Sequence, residues 1–285
     1  MKFRFVFYLR KEMRLFADFF NLIEILILML ILNISVFSFN ESAINRHFYS
    51  LQHNQLNNEN LEKVLSELQI NWDEQTRKSW KKLLNKAHWH QDIFHFFGSR
   101  HHFDNCCFED GINQINNLQK DNDADYAKLT QIQKEKDRKR LKEKIIFRMG
   151  RILHSAQDFF SHSNYVEIMQ NEFEEIEEVP AVEFLSETGQ KRILELSKNG
   201  LFSERFFISF PHKCDKNKMG KQSFNKDGPK HEAGKKLTRW QNQKNNNLFT
   251  SFEAAMFFAD KSTYLIFYKI FSGYPLLTKE FLPQK

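Results

Sequence analysis

Three residues of types that ligate metals recur at a spacing of four in "LHSAQDFFSHSNYVE", residues 153–167. They are His154, Asp158 and His162. At about 100° per residue, a helix places all three on one side. Apolar residues take the other side: Ile152, Ala156, Phe159 and Phe160. An imidazole and a carboxylate one turn apart can ligate one divalent metal ion, or one can hold a neighbouring ligand. The same triplet is also compatible with a helix face that only contacts water.

A second cluster of the same residue types occurs upstream in "SRHHFDNCCFEDG", residues 99–111. It contains His101, His102 and Asp104 in an expected loop, and loops often carry ligands. With few cysteines available, imidazole and carboxylate ligands favour zinc or another divalent metal, provided that the two clusters meet in space. The candidate ligands are His102, Asp104, His154, Asp158 and His162. Three further histidines, in "HWHQDIFHFF", are interpreted as packing or surface residues: His88, His90 and His95.

Composition indicates which elements must position these residues. Hydrophobic residues make up 41% of the 285, with 31 Phe among them, so a packed core is expected. Only 9 Gly and 5 Pro are present, too few for the turns of a many-stranded sheet. We therefore predict an all-α fold. The net charge of +6 is spread over mixed Lys and Glu, which is not typical of a nucleic-acid-binding surface, and no stable nucleic-acid partner is expected.

Apolar periodicity predicts the helices of one domain spanning 39–285. Helices are expected over 58–68, 73–97 and 248–271. After the adjacent cysteines we expect a short helix, a polar turn at 121–123, and a long helix from about Ala124 through the candidate site. Residues 211–247 are basic, contain glycines and lack apolar periodicity, which predicts a long irregular loop before the last helix.

The N-terminal residues 1–38 have the features of a signal peptide. A basic start precedes the apolar run "ILILMLIL" (25–32), and more polar residues follow, with cleavage expected near Ser38. We therefore expect a secreted protein or one of the secretory-pathway lumen. The alternative is an uncleaved signal anchor, in which case the protein contacts a membrane through this segment alone. In a secreted chain, either Cys106 or Cys107 can form a disulfide with Cys214, leaving one thiol.

Several blocks of the chain, in this order, carry a family resemblance. They are "HFDNC", "LHSAQDFFSHSNYVE", "KC" followed by "FNKD", and "FEAAMFFA". Together they resemble the N-terminal domain of von Willebrand factor A domain-containing protein 7 and the Het-C heterokaryon-incompatibility proteins, over most of residues 40–275. No von Willebrand A domain is expected within 39–285. The resemblance implies an all-α domain distantly related to the zinc-dependent phospholipase C and single-strand nuclease superfamily. In those enzymes zinc-activated water attacks a phosphoester.

The resemblance also implies roles for individual residues. His154 and Asp158 match the His-x-x-x-Asp pair on a core helix of the superfamily, and His162 matches the following ligand. His102 and Asp104 stand for the upstream ligands. A carboxylate, Asp158 or Asp104, would orient the water, and Arg151 or a loop lysine would offset phosphate charge. Asn164 and Glu167 belong to the matched block, and we expect them to have a structural role at the helix end.

Two family ligands have no match by position. The region around Asn40 lacks the histidine expected before the first helix, and Ser251 stands where a histidine commonly precedes the Ala-rich segment. The sequence therefore supports two functions. One is a secreted domain that binds a divalent metal and hydrolyses phosphoesters. The other is a non-catalytic extracellular recognition module in which the same residues form a hydrogen-bond network.

Overall fold

A computed structural model describes residues 52–204, 210–214, 224–227, 229–243 and 246–279. The expected signal segment 1–38 and the region around Asn40 lie outside these residues. The described part is mostly helical, as predicted. Helix α1 covers residues 52–67, and the following helices are α2 (Glu74–Phe94), α3 (Phe108–Leu129), α4 (Glu135–His162), α5 (Tyr165–Glu172) and α6 (Glu187–Lys198).

The C-terminal part adds a small hairpin between helices. It consists of α7 (Glu232–Lys235), the antiparallel strands β1 (Leu237–Gln241) and β2 (Leu248–Thr250), α8 (Ser251–Gly273) and α9 (Pro275–Lys279). Short 3-10 turns cover Ser99–His101, Asp104–Cys106 and Ile176–Glu178. Among the described residues, no helix has both the length and the apolar character needed to span a membrane.

Helix α4 lies at the centre of the core and packs against α2, α3 and α8. The close approach of α2 depends on Gly150 of α4, because a Cβ there would lie 2.6 Å from the Cβ of Ala87. Large buried aromatic side chains fill the remaining space, among them Trp80, Phe159 and Phe267. A well-packed α4 can therefore hold the polar side chains of its other face in fixed positions.

The prediction of a polar turn at 121–123 is wrong, because α3 continues to Leu129 and the chain breaks at residues 130–134 instead. In this stretch Asn122 is buried, whereas Asp121 and Asp123 are exposed on the surface of α3. Just beyond it, Asp125 is buried and pairs with Arg148 Nη1 (2.7 Å) and Lys144 Nζ (2.9 Å) of α4 and with Lys128 Nζ (3.1 Å) of α3. The polarity of this part of the chain therefore belongs to a helix rather than to a turn.

Replacing Asp125 with Asn tests this contact between α3 and α4. Burial opposes ionisation, but the bonds from Arg148, Lys144 and Lys128 outweigh it and hold the pKa of Asp125 below its usual value. We expect Asp125→Asn to lower the free energy of unfolding at pH 7 by about 2 kcal/mol, because charge-assisted hydrogen bonds are lost. The folded-state pKa is depressed, so this stabilisation is present above the unfolded value of about 3.9 and decreases as the pH falls below it. Urea denaturation at pH 7 and pH 3 measures it; an equal difference at both pH values would contradict the assignment.

Two other segments differ from the sequence-based expectations. The structure is already helical at residue 52, so the helix predicted at 58–68 begins earlier. The inward side of its first turns is partly polar, with Asn57 and Asn60 buried, and apolar periodicity alone could not detect it. The expected loop at 211–247 contains α7 and the hairpin, where alternation buries Thr238 and Trp240 of β1.

Candidate functional site

The polar face of α4 is enclosed by protein. The exposed fractions of His154, Asp158 and His162 are 1%, 3% and 7%. Helix α2 covers this face together with the 3-10 turns that connect α2 to α3. The three side chains therefore do not form a solvated helix surface, and each needs polar partners inside the protein.

Three of the candidate ligands converge in what we call the first centre, formed by His102, His154 and Asp158. The Oδ2 atom of Asp158 lies 2.7 Å from His102 Nδ1 and 3.0 Å from His154 Nε2, and these two nitrogens are 3.2 Å apart. A fourth group, Asp92 of α2, places Oδ1 3.3 Å from His154 Nε2. Ligand atoms at about 2.05 Å from a tetrahedral zinc ion would be about 3.3 Å from one another. The spacing within the first centre is close to that value.

Two more histidines lie against His154. His88 Nδ1 is 3.0 Å from His154 Nδ1, so one nitrogen donates to the other, and the ring of His53 stacks on that of His154 at 4.9 Å. His53 Nε2 also lies 3.4 Å from Asp158 Oδ1. His88 is completely buried, so of the two alternatives expected for it, packing or surface, the surface position is wrong. The reason is tertiary: α2 turns this residue toward α4 rather than toward solvent.

An amide network holds the outer side of these rings. Gln157 Oε1 is 2.6 Å from His53 Nδ1, and Gln157 Nε2 donates to Asn57 Oδ1 and to Thr263 Oγ1, both at 2.9 Å. The Asn57 amide contacts His88 Nε2. Thus α1, α4 and α8 all contribute to the orientation of the imidazoles, as outer-layer groups commonly do around metal ligands.

A shared sequence spacing underlies the site. His154 and Asp158 of α4 are four residues apart, and so are His88 and Asp92 of α2 and His53 and Asn57 of α1. Residues at this spacing lie on one helix face. The repeated His-x-x-x-Asp/Asn pattern was therefore a usable signal for His53, Asn57, His88 and Asp92, which sequence reasoning did not assign to the site. No comparable histidine spacing in the sequence indicates Gln157 or Asp227 as part of the site.

His162 belongs to a second centre, together with Asp104 and Asp227. Its Nδ1 is 2.8 Å from Asp104 Oδ1 and its Nε2 is 2.9 Å from both carboxylate oxygens of Asp227. The five predicted ligands therefore do not form one group. His102, His154 and Asp158 meet at one point, whereas Asp104 and His162 form a pair one helical turn further along α4.

Asp104 is presented by an unusual turn. Phe103, Asn105 and Cys106 all have positive φ angles, near 55°, which non-glycine residues rarely adopt. The turn is held by the disulfide between Cys106 and Cys214 and by a hydrogen bond from the Cys106 backbone N–H to Ser203 Oγ (2.8 Å). The structure thus joins Cys214 to Cys106 and leaves Cys107 as a buried thiol. Such a disulfide is compatible with a secreted protein.

The charges of the two centres depend on burial and on the neighbouring carboxylates. Burial alone would lower the pKa of His154, but Asp158 and Asp92 raise it to about 9. Burial likewise opposes ionisation of Asp158, yet His154 and His102 keep its pKa well below the usual range. Burial lowers the pKa of His88 well below 6.5, so this ring is neutral. Without a metal ion, the site therefore holds an imidazolium–carboxylate pair against a neutral imidazole.

The pKa of His162 depends on burial and on neighbouring carboxylates in the same way as that of His154. Burial opposes its protonation, but Asp227 and Asp104 raise its pKa well above the usual value. Burial is also the largest influence on Asp104 and raises the pKa of that carboxyl group. An imidazole that contacts a carboxylate through each ring nitrogen can be a doubly protonated imidazolium ion. If one nitrogen loses its proton, that nitrogen can ligate a metal ion while the carboxylate at the other nitrogen orients the ring.

Asn164 and Glu167 lie outside both centres and hold the chain around the end of α4. Asn164 Nδ2 donates to the Gly200 carbonyl (3.0 Å), and its Oδ1 accepts from the Phe202 backbone N–H (2.7 Å). Glu167 Oε2 is 3.1 Å from Nζ of Lys226, which is completely buried and donates to the Ser163 carbonyl at 2.5 Å. Lys226 immediately precedes Asp227, so this pair anchors the segment that carries Asp227 to His162.

In the described part of the chain, two further sets of side chains that share His154 with the first centre also have ligand atoms close enough together to hold a metal ion. One is His53, His88 and His154, and the other is Asp92, His102 and His154. A small pocket reaches the site between α1 and α8 and is lined in part by His53, Gln157, Ser161 and Asp227. The arrangement offers imidazole nitrogens and carboxylate oxygens, the donor set that suits zinc and related divalent ions.

Comparisons of the chain with protein-family models, with curated proteins and with solved structures found no match.

Proposed function

We propose that this protein binds zinc between α2, α4 and the turn at 99–107 and uses the ion to hydrolyse phosphoesters. The observation that carries the proposal is the first centre. His102 Nδ1, His154 Nε2 and Asp158 Oδ2 form a closed triangle with sides of 2.7, 3.0 and 3.2 Å. A metal site requires its ligand atoms to converge on one point, and these three do.

The residues present fit a zinc ion, because imidazole nitrogens and carboxylate oxygens are among its usual protein ligands. His102 reaches the first centre through Nδ1, which lies 2.7 Å from Asp158 Oδ2. His102, His154 and Asp158 would hold the ion and leave its fourth position open, as catalytic zinc sites do.

The chain's own groups supply the remaining requirements for phosphoester hydrolysis. When bound, the ion supplies Lewis-acid activation. Asp92 is 34% exposed and reaches His154, so its carboxylate can accept a proton at the edge of the site. Asp104, held by His162, provides the other carboxylate. Arg151 lies one turn before His154 on α4, has no carboxylate partner among the described residues, and can offset phosphate charge.

The family relationship is part of this proposal. The order of the matched blocks and the position of His154 and Asp158 on a buried central helix support kinship with the Het-C and von Willebrand factor A domain-containing protein 7 N-terminal domains. A zinc-dependent phospholipase C-like fold and a secreted location belong to the same proposal. The Cys106–Cys214 disulfide supports the location, because disulfides persist in oxidising compartments.

One observation favours the second function, a recognition module without catalysis. Much of the site is satisfied by its own hydrogen bonds: Gln157 links His53, Asn57 and Thr263, and His162 bonds to a carboxylate through each ring nitrogen. A fully bonded polar network can fix helix packing without a metal ion.

The two functions predict opposite changes in the stability of the fold as the pH rises. In a network without metal, the pKa of His154 is raised from 6.5 to about 9. The resulting stabilisation is fully present below the unfolded value and is lost as the pH rises toward 9. In a zinc site the imidazoles must be unprotonated, so stabilisation by zinc grows as the pH rises from about 5 to 8.

Guanidinium unfolding of the purified protein across this pH range, with zinc and with a chelator, measures the sign, and metal analysis gives the zinc content. We expect near-stoichiometric zinc, a zinc-dependent rise in stability with pH, and hydrolysis of bis(4-nitrophenyl) phosphate that the chelator abolishes. A falling profile under both conditions, without bound metal or hydrolysis, would support the recognition module instead.

A further inference from the structure

Exposed aromatic side chains are concentrated at one end of α2. Seven large hydrophobic side chains are exposed in the described part of the chain, and four of them lie here. Their exposed fractions are 56% for Trp89, 64% for Phe94, 66% for Phe97 and 61% for Phe210. The other three, Leu237, Leu248 and Tyr268, belong to the hairpin and to α8. Exposed rings of this size rarely collect on a soluble surface without a partner.

These four residues, which we call the aromatic patch, come from neighbouring backbone segments. The rings of Trp89 and Phe94 are 6.3 Å apart between centroids. The Phe210 backbone N–H donates to the Phe97 carbonyl (2.9 Å), and the Ser99 N–H donates to the Phe210 carbonyl (3.1 Å). The structure therefore joins the end of α2, the following turn and residue 210 into one surface.

Cations without acidic partners surround the aromatic patch. Lys86 and Arg100 are exposed, and Arg151 is partly buried beside them on α4. Within the described residues, no carboxylate lies within 4 Å of any of the three charged groups. The Arg100 Nε–H is directed at His101 Nε2 (3.3 Å) and the Arg151 Nε–H at Gln91 Oε1 (2.9 Å), both neutral acceptors. This surface thus combines apolar rings with cations that have no carboxylate partner within the described ranges.

We propose that the aromatic patch docks the protein on the surface of a phospholipid membrane that carries anionic headgroups. Trp and Phe side chains gain free energy at the boundary between headgroups and acyl chains, and nearby Lys and Arg gain from the negative surface potential. This surface differs from the N-terminal segment, which would contact a membrane only in the alternative of an uncleaved signal anchor.

A second copy of this chain fits the same surface less well. A symmetric dimer would bring the patch against itself and place Arg100 and Lys86 of both copies together, with one partly exposed carboxylate per copy, Asp92, within residues 86–97. Single-stranded nucleic acid requires ring faces on which bases can stack, whereas Trp89 and Phe94 are arranged edge to face at 74°. Anionic lipid matches both the apolar and the charged groups.

The position of the patch has a consequence for the site. Asp92 lies between Trp89 and Phe94 in α2, is partly exposed, and contacts His154. A protein docked through the patch would therefore turn the Asp92 side of the first centre toward the membrane. This consequence rests on the proposed function, whereas the docking itself does not.

Vesicle flotation with the full chain tests the docking. We use phosphatidylcholine vesicles with and without about one-third phosphatidylserine, and compare the wild type with Trp89→Ala/Phe97→Ala and Arg100→Gln. We expect the double variant to bind roughly tenfold more weakly to both vesicles, because two rings no longer enter the interface. Arg100→Gln should weaken binding only to the anionic vesicles.

Leu237→Ala/Tyr268→Ala is the matched control for loss of exposed hydrophobic surface elsewhere, and we expect it to bind as the wild type does.

Several outcomes would overturn the proposal. Wild-type protein that floats with neither vesicle would do so, as would equal binding by the wild type and the Trp89→Ala/Phe97→Ala variant, which would assign the binding to another segment. An equal loss in the Leu237→Ala/Tyr268→Ala control would show a nonspecific effect. Patch-dependent binding to a single-stranded oligonucleotide, or patch-dependent dimers in light scattering, with no vesicle binding, would assign the surface to those partners. Zinc content, measured in parallel, reports on the proposed function independently of flotation.

Discussion

Asp158→Asn should abolish stoichiometric zinc binding and also destabilise the fold. Asp158 is the shared carboxylate of the first centre, in contact with His102, His154 and His53. Its replacement by a neutral amide of the same size removes a charge that zinc requires and leaves the buried His154 without its counter-ion. We expect at least a roughly tenfold loss of zinc affinity and a decrease of about 3–5 kcal/mol in the free energy of unfolding, the usual effect of breaking a buried ion pair.

Metal analysis after gel filtration and urea unfolding measure the two effects separately. The matched control is Asp125→Asn, the same chemical change at a buried, ion-paired carboxylate between α3 and α4, outside both centres. It should lower stability while keeping the zinc. If Asp158→Asn retains stoichiometric zinc, the first centre is not the metal site. If it loses no stability with the chelator present, the imidazolium–carboxylate pair is not formed.

Glu167→Gln should have the second-largest effect, although Glu167 lies outside both centres. Its carboxylate is the charged partner of Lys226, whose ammonium group is completely buried and also donates to the carbonyls of Ser163 and Phe224. Burial lowers the pKa of Lys226, while Glu167 favours the charged form. Removing this charge leaves the buried cation without its ion-pair partner, and we expect a loss of about 3 kcal/mol in the free energy of unfolding.

A double variant makes this prediction specific. Glu167→Gln/Lys226→Met removes both charges, and replacement of a buried ion pair by apolar groups is often close to neutral. The double variant should therefore be more stable than Glu167→Gln alone in urea unfolding, with exposed Glu178→Gln as a surface control. Additive losses in the double variant would show that the two side chains do not depend on each other.

The Lys226 pair also shows why part of the site could not be predicted. Asp227 reaches His162 across 65 positions of sequence, through a segment that resembles a basic loop. The sequence contains the Lys–Asp dipeptide, but its role depends on Ser163, which follows α4, and on Glu167 of α5. Contacts at this separation are set by how the helices pack, and local periodicity contains no information about them.

The helical class and the two-faced character of α4 are predictable from the sequence, because both follow from local composition and from the 3.6-residue helical period. The same period places His154, Asp158 and His162 on one face, and the cysteine count leaves two alternatives for the disulfide with Cys214. Which of the two disulfides forms, and which imidazoles meet, depends on tertiary packing. His53 and His88, like His154, each have a polar residue four positions later, yet the sequences of their helices also fit ordinary amphipathic helices. Whether a helix face contacts water or another helix depends on the elements packed against it, and the close packing of α2 on α4 at Gly150 is what turns His88 and Asp92 into part of the site.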